Sequence, residues 1–296
     1  MATTTRAAGA LNLELAGQAA GALRSLQPAS LRVDMESTAH GPVTVVRRGA
    51  RVSLGEMVAD ADLPAPGPLL DWLQAALAGN MAPLDGAVLQ ADATMKLRRR
   101  IGFRGARLTG LAWPALDATI GRQPITLALR WLVEAVDDAQ ASGSFKLPAA
   151  SKRKAMVTSN FSLKGLPFGG NAVIRVELPA LQVDWAGERA GAQRDRLLVA
   201  RVQLGEAAIT VGQRDADAAR AWVHKLVADG SIDENDGLLL QVDLLDAALK
   251  TVLASVELRG CLLAGMDESP LGGASADRMP SLRLRFNVGG IKVGVA

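Results

Sequence analysis

The chain is written twice. The peptide Ala-Arg-Val-Ser-Leu-Gly-Glu at Ala50 to Glu56 returns 150 residues later at Ala200 to Glu206, changed only at Ser53 and Gln203. At the same offset Leu13 meets Leu163, the tetrad Leu31 to Asp34 meets Leu181 to Asp184, and Trp72 meets Trp222. Beyond the tryptophans the match steps to 151, pairing Gly86, Leu89, Gln90 and Asp92 with Gly237, Leu240, Gln241 and Asp243. It then steps to 155, pairing Arg104, Gly105, Leu108 and Gly110 with Arg259, Gly260, Leu263 and Gly265, and Leu127, Leu129, Arg130 and Val133 with Leu282, Leu284, Arg285 and Val288. Steps that fall between matched blocks place the inserted residues in loops.

A repeat of this length is too long for a solenoid unit and long enough to bury its own core. The chain of 296 residues, 49% hydrophobic, therefore divides into a domain over 1–138, a linker over 139–159 and a second domain over 160–296. The Ala-Ser-Gly-Ser and Lys-Arg-Lys runs interrupt the pattern within that linker. With five Trp, five Phe and no Tyr, the cores are aliphatic.

Within each copy the pattern reads as strands, one helix, then more strands. In copy two, 173–178 and 181–185 alternate apolar with polar residues, the period of a half-buried strand, and 197–204 and 207–211 continue in the same way. Over 215–228 the period lengthens, with Ala218, Ala221, Trp222, Val223, Leu226 and Val227 on an apolar helical face. Asp215 and Asp217 sit near the helix start and Gly230 closes it. Strands return over 238–243, 253–263 and 281–288. Copy one has the same order: strands over 11–15, 31–35 and 43–54, a helix over 68–78 with Pro68 in its first turn, then strands over 87–93, 102–108 and 125–133. Neighbours so close in sequence pair antiparallel, and the fold class is mainly β, two tandem antiparallel sandwich or barrel domains, each with one packed helix. Trp72 and Trp222 are expected to pack helix against sheet.

The chemistry-bearing residues are few. The lone Cys261 excludes an intrachain disulfide and a thiolate-rich metal site. His40 and His224 stand alone, too few for a conventional zinc centre. Asp229, Ser231 and Asp233 have the spacing of a calcium loop, but Glu234 occupies the position where that loop turns on glycine. The glycine-rich stretch from Gly165 to Gly170 has neither the lysine of a phosphate loop nor the dinucleotide-binding order. The basic runs Arg98 to Arg100 and Lys152 to Lys154 lack interleaved aromatics, and a formal charge of +3 gives no general case for nucleic acid. No metal, cofactor or catalytic group is expected, nor a membrane span or signal peptide.

The order of these blocks resembles the tail-tube family, the inner-tube subunits of contractile phage tails and contractile injection systems. The residues that carry the resemblance are Leu70-Asp-Trp72, Asp85-Gly86, Gln90-Ala-Asp92 and Leu111-Ala-Trp-Pro-Ala-Leu116. In copy two the helix, Asp236-Gly237 and Gln241-Val-Asp243 answer them, with Leu263-Ala-Gly-Met-Asp267 replacing the Ala-Trp-Pro segment. The resemblance implies a β-barrel with a flanking helix whose sheets join edge to edge into a ring, and rings that stack into a tube. Two fused units then need three chains for six positions, a homotrimer with pseudo-sixfold geometry. The implied partners are copies of this chain and other tube, hub, baseplate or sheath subunits, with cargo or DNA in the lumen. Assembly in the cytoplasm into a virion or phage-tail-like particle follows. The ring-forming sheet is assigned to Leu31, Val33 and Asp34 with Leu181, Val183 and Asp184. A two-domain β ligand-binding module is the alternative, disfavoured by the 3% of aromatic residues. A hydrolase built on Asp34 and Asp184 is disfavoured because acid and base need different environments.

Overall fold

A computed structural model describes residues 9–40, 44–65, 67–143, 156–169, 172–189, 195–230, 237–268 and 281–295. Copy one contributes β1 (Leu11–Leu15), β2 (Gln18–Gln27), β3 (Leu31–His40), β4 (Thr44–Leu54), β5 (Met57–Asp62), α1 (Gly67–Leu77), β6 (Leu84–Ala91), β7 (Leu97–Ala112), β8 (Leu116–Asp117), β9 (Thr126–Leu132) and β10 (Ala135–Gln140). Copy two contributes β11 (Phe161–Lys164), β12 (Val173–Glu177), β13 (Leu181–Arg189), β14 (Asp195–Leu204), β15 (Ala207–Gly212), α2 (Gln213–Asp229), β16 (Leu238–Leu245), β17 (Val252–Glu268), β18 (Ser281–Asn287) and β19 (Gly290–Val295). The fold is mainly β, with two barrel-like sheets.

Copy one closes on itself. Its strands follow the order β7, β6, β1, β2, β5, β9, and β9 pairs back onto β7. One long strand serves both ends of that circuit because β7 pairs β6 through its first half and β9 through its second. Gly105, at φ 62°, lies between the halves, and a side chain there would strike Glu134. Copy two follows the same path, β11, β16, β17, β18, β15, β12. Gly260, at φ 59°, marks the corresponding point of β17.

Alternation decides which residues fill the barrels. Along β5, Met57, Ala59 and Ala61 turn inward while Val58, Asp60 and Asp62 are partly exposed. From β9, Leu127, Leu129 and Trp131 meet them, all fully buried. Helix α1 lays Leu69, Leu70, Trp72, Leu73 and Ala76 onto this core, the spacing of one helical face. Trp72 meets Trp131 edge-on at 6.3 Å between ring centres. Copy two keeps the pair as Trp222 stacked 6.5 Å from Phe286, although Trp222 is only half-buried. Helix α2 starts after Gly212 without a side-chain cap, and Asp215 in its first turn accepts the Ala172 N–H at 2.9 Å. Gly230, left-handed at φ 65°, ends it.

Strand pairing corrects the alignment of the copies. With Leu13 equivalent to Leu163, β1 places Val88 opposite Leu13 and β11 places Val242 opposite Leu163, an offset of 154 rather than 151. The Leu-x-Gln-x-Asp pattern misleads because Asp92 ends its strand, whereas Asp243 lies within β16, buried and paired with Lys164 at 2.6 Å. Asp246 is the counterpart of Asp92. Asp92 Oδ1 accepts from the Thr94 N–H at 2.9 Å, the Thr94 hydroxyl at 2.7 Å and the Lys96 N–H at 3.0 Å. Asp246 Oδ1 accepts from Ala248, Lys250 and Thr251 N–H. Both turns carry a non-glycine residue at positive φ, Met95 at 58° and Leu249 at 57°. The Thr94 hydroxyl, then the Lys96 N–H, hold the Asp92 carboxyl well below the ordinary carboxylate range.

The strands β2 and β10 also depart from the sequence expectation. Ala19, Ala20, Gly21 and Ala22 blur the period of β2, which pairs β1 and β5. Strand β10 pairs β7 through Gln140, past the expected boundary at residue 138. Cys261 is buried in β17, and desolvation pushes its thiol up to about 11. We expect it to resist a thiol reagent at pH 8 in the folded chain and to react at once in denaturant. Rapid labelling of the folded protein would contradict its burial.

Candidate assembly interface

The two copies are joined by their backbones. Residues Leu181 and Gln182 of β13 pair with Leu111 and Gly110 of β7, so the β13–β14 hairpin of copy two extends the sheet of copy one. In return β8 pairs with β12, Leu116 opposite Val176 and Asp117 opposite Arg175, whose side chains lie 3.5 Å apart. Ile125 donates its N–H to Met156 O and Thr158 to Gln123 O. From the helix layer, Gln74 of α1 donates to Val293 O of β19 at 2.5 Å. A single apolar core runs through both copies. Each copy thus supplies strands to the other's sheet.

Side chains seal this joint. Leu181 and Val183 are 2% and 3% exposed, and Leu108 and Leu111 of β7 are equally covered. The indole N–H of Trp185 donates to Leu108 O at 3.0 Å, and the Arg107 guanidinium lies over the same ring at 5.6 Å. Gly110 leaves room for Arg130, whose guanidinium occupies the space a side chain would need.

The same parts recur once more in the chain, with no further strand beside them among the described residues. Hairpin β3–β4 repeats the register of β13–β14 residue for residue, including an irregularity at Asp34/Met35 that matches the one at Asp184/Trp185. It forms a two-stranded sheet of its own. Leu31 is 66% exposed, Val33 43% and Met35 60%, where their counterparts are Leu181, Val183 and Trp185. The receiving strand recurs too. Over its second half β17 pairs β18 on one side, with an irregularity between Leu263 and Gly265 that matches Leu108/Gly110 of β7. Its other flank carries no strand among the described residues. Arg285 overlies Gly265 as Arg130 overlies Gly110, while Leu263 and Met266 are half-buried.

Of the expected ring-forming residues, Leu181 and Val183 therefore lie in the joint between copies, and Asp184 is exposed, accepting from Gln182 at 3.2 Å. Leu31, Val33 and Asp34 lie in the unmated hairpin. Trp72 and Trp222 lie on the core faces of their helices. The joint also uses Arg107, Leu108, Gly110, Leu111, Trp185 and β8, which the sequence reading missed. The signal available was the pair Gly110 and Gly265, each in a strand and each followed twenty residues later by arginine.

No group of three His, Cys, Asp or Glu among the described residues could hold a metal ion. Arg98 pairs with Asp92 and Arg99 with Asp138, which makes part of the basic run a solvated ion-pair face. Lys152 to Lys154, Ser231 and Asp233 lie outside the described residues, as does the side chain of His40. An open groove of about 560 Å³ is lined by Glu14, Asp85, Arg100, Arg104 and Asp137, with no histidine, cysteine, serine or threonine in its wall. No described helix is long and apolar enough to cross a membrane.

Against known proteins, no family model matches the chain. No curated protein matches it. Among solved structures it is similar to a chain of the anti-feeding prophage baseplate, six-fold symmetrised, at 14% identity and TM-score 0.38 over 45% of this chain and 89% of that one. It is similar to a chain of the anti-feeding prophage tube-terminating cap at 9% identity and TM-score 0.39 over 53% and 97%. It is also similar to a chain of the sheath/tube terminator of an extracellular contractile injection system, PVC, in its extended state, at 13% identity and TM-score 0.38 over 47% and 96%.

Proposed function

We propose that this chain is a structural, non-enzymatic subunit of a phage-tail-like or contractile injection particle. Three copies form a pseudo-sixfold ring that stacks in or caps the inner tube, or joins it to the baseplate hub. The observation that carries this reading is the joint between the copies: a sheet passes from one barrel to the next through a hairpin and a receiving strand, and both parts recur unmated at the outer ends. A contact between two different surfaces propagates head to tail and closes into a ring when the rotation per unit allows. The resemblance of both sequence copies to tail-tube subunits names the class of particle. Its other partners are tube, hub, baseplate or sheath subunits, with cargo or DNA in the lumen, and the chain assembles in the cytoplasm before entering the particle.

The test is the solution mass over a concentration series, with negative-stain images of the same samples. A trimer with a central hole, or stacked tubes, is the expected result. A single chain at every concentration, on a grid without rings, would overturn the ring.

A further inference from the structure

We propose that hairpin β3–β4 of one chain adds to the bare flank of β17 in a second copy, with Leu31 opposite Met266 and Arg32 opposite Gly265. This deepens the ring reading and rests on it. The register comes from the joint inside the chain, where Leu181 faces Leu111 and Gln182 faces Gly110. Shifting the hairpin by 150 residues and the receiving strand by 155 gives the intermolecular pairs.

Two compensating changes identify the mate as another copy. At the internal joint, Trp185 lies under Arg107. At the outer ends these positions are Met35, 60% exposed, and Leu262, half-buried, so an aromatic–cation contact becomes an apolar one on both sides at once. Gln182 is neutral and the β7 residue diagonal to it is Ala112; Arg32 takes the place of Gln182, and Asp267 takes the place of Ala112. Diagonal neighbours on one face of an antiparallel pair lie within reach of long side chains. Asp267 is exposed and accepts from Arg285 at 3.1 Å, so Arg32 arrives beside a carboxylate shared with one other guanidinium. Each half of the outer joint has changed in the sense that suits the other half.

The apolar balance agrees. Addition covers Leu31, Val33 and Met35, together with Leu263 and Met266 of the receiving copy, and satisfies backbone groups that a bare strand edge leaves to water. The same docking brings α2 of the receiving copy over β10 of the donor. In that position His224 stands where Gln74 stands at the internal joint, and Asp138 where Val293 stands. The half-buried Trp222 and the 68%-exposed Val227 lie on that less covered helix.

The experiment is disulfide trapping in the full chain, with sedimentation of the unmodified chain alongside. Leu31→Cys with Met266→Cys puts two thiols on directly opposed residues, and mild oxidation should yield covalent oligomers on a non-reducing gel. Arg32→Cys with Met266→Cys, on opposite faces of the paired strands, should not. Arg32→Asp should weaken association at least tenfold, and adding Asp267→Arg should restore most of it, with circular dichroism unchanged throughout. Assembly of the unmodified chain without trapping at Leu31 and Met266 would overturn this register and leave the ring standing. Failure of the unmodified chain to assemble would overturn both.

Discussion

Replacing Trp131 by alanine lowers the unfolding free energy by about 3 to 5 kcal/mol, the cost of emptying a large aromatic site in a core that cannot collapse around it. Trp131 is fully buried, with Trp72 and Phe103 at 6.3 and 6.0 Å between ring centres. Its indole N–H finds no partner among the described residues. A buried donor left unpaired costs free energy, so Trp131→Phe removes that cost while keeping most of the ring. Copy two makes the same choice with Phe286. We expect Trp131→Phe to fall within about 1.5 kcal/mol of the parent, because the small cavity it leaves is offset by the unpaired donor it removes. Urea unfolding of the three proteins measures both values. Similar losses for alanine and phenylalanine would refute this account of the site.

The second large effect is an inequality between equivalent residues. Leu181→Ala should cost about 2 to 5 kcal/mol, because Leu181 is covered by the joint. Leu31→Ala, at the same place in the other copy, should change the unfolding free energy of the single chain by no more than about 0.5 kcal/mol, as exposed substitutions do. The comparison belongs at protein concentrations low enough to keep chains apart, since a mate on β3 would shelter Leu31. Equal losses under those conditions would mean that the two hairpins have the same surroundings, against the 2% and 66% exposures.

Much of the fold was legible because local pattern decides it. The alternation of 173–178 and 281–288, the helical period after Asp215 and the terminating Gly230 are set by neighbours in sequence. Strand β2 was not legible, because its run of alanine and glycine has no polar partner to mark a period, and its strand character comes from β1 and β5 on either side. The slip at Gln90 and Asp92 has another origin. Two copies share a short polar motif whose role is a turn in one and a strand interior in the other, and only pairing with β1 and β11 separates them. For the interface, the hairpins were visible as repeats, but Leu31 and Leu181 have nearly the same sequence around them. Their difference lies in which strand is close in space, and Leu111 is distant from Leu181 in sequence.

The joint also has a history in time. A chain leaving the ribosome completes the flank of β7 at Leu111 well before the hairpin that covers it, which ends at Leu204. At synthesis rates of about 5 to 20 residues per second, that interval lasts roughly 5 to 19 s. If copy one folds in that interval, the nascent chain displays both a finished hairpin, β3–β4, and a bare acceptor, β7, that differs from its later counterpart mainly by Arg107 and Ala112. Arg107 where Met35 would land, and Ala112 in place of a carboxylate for Arg32, would make that early acceptor a poor match for the hairpins of neighbouring nascent chains on the same messenger.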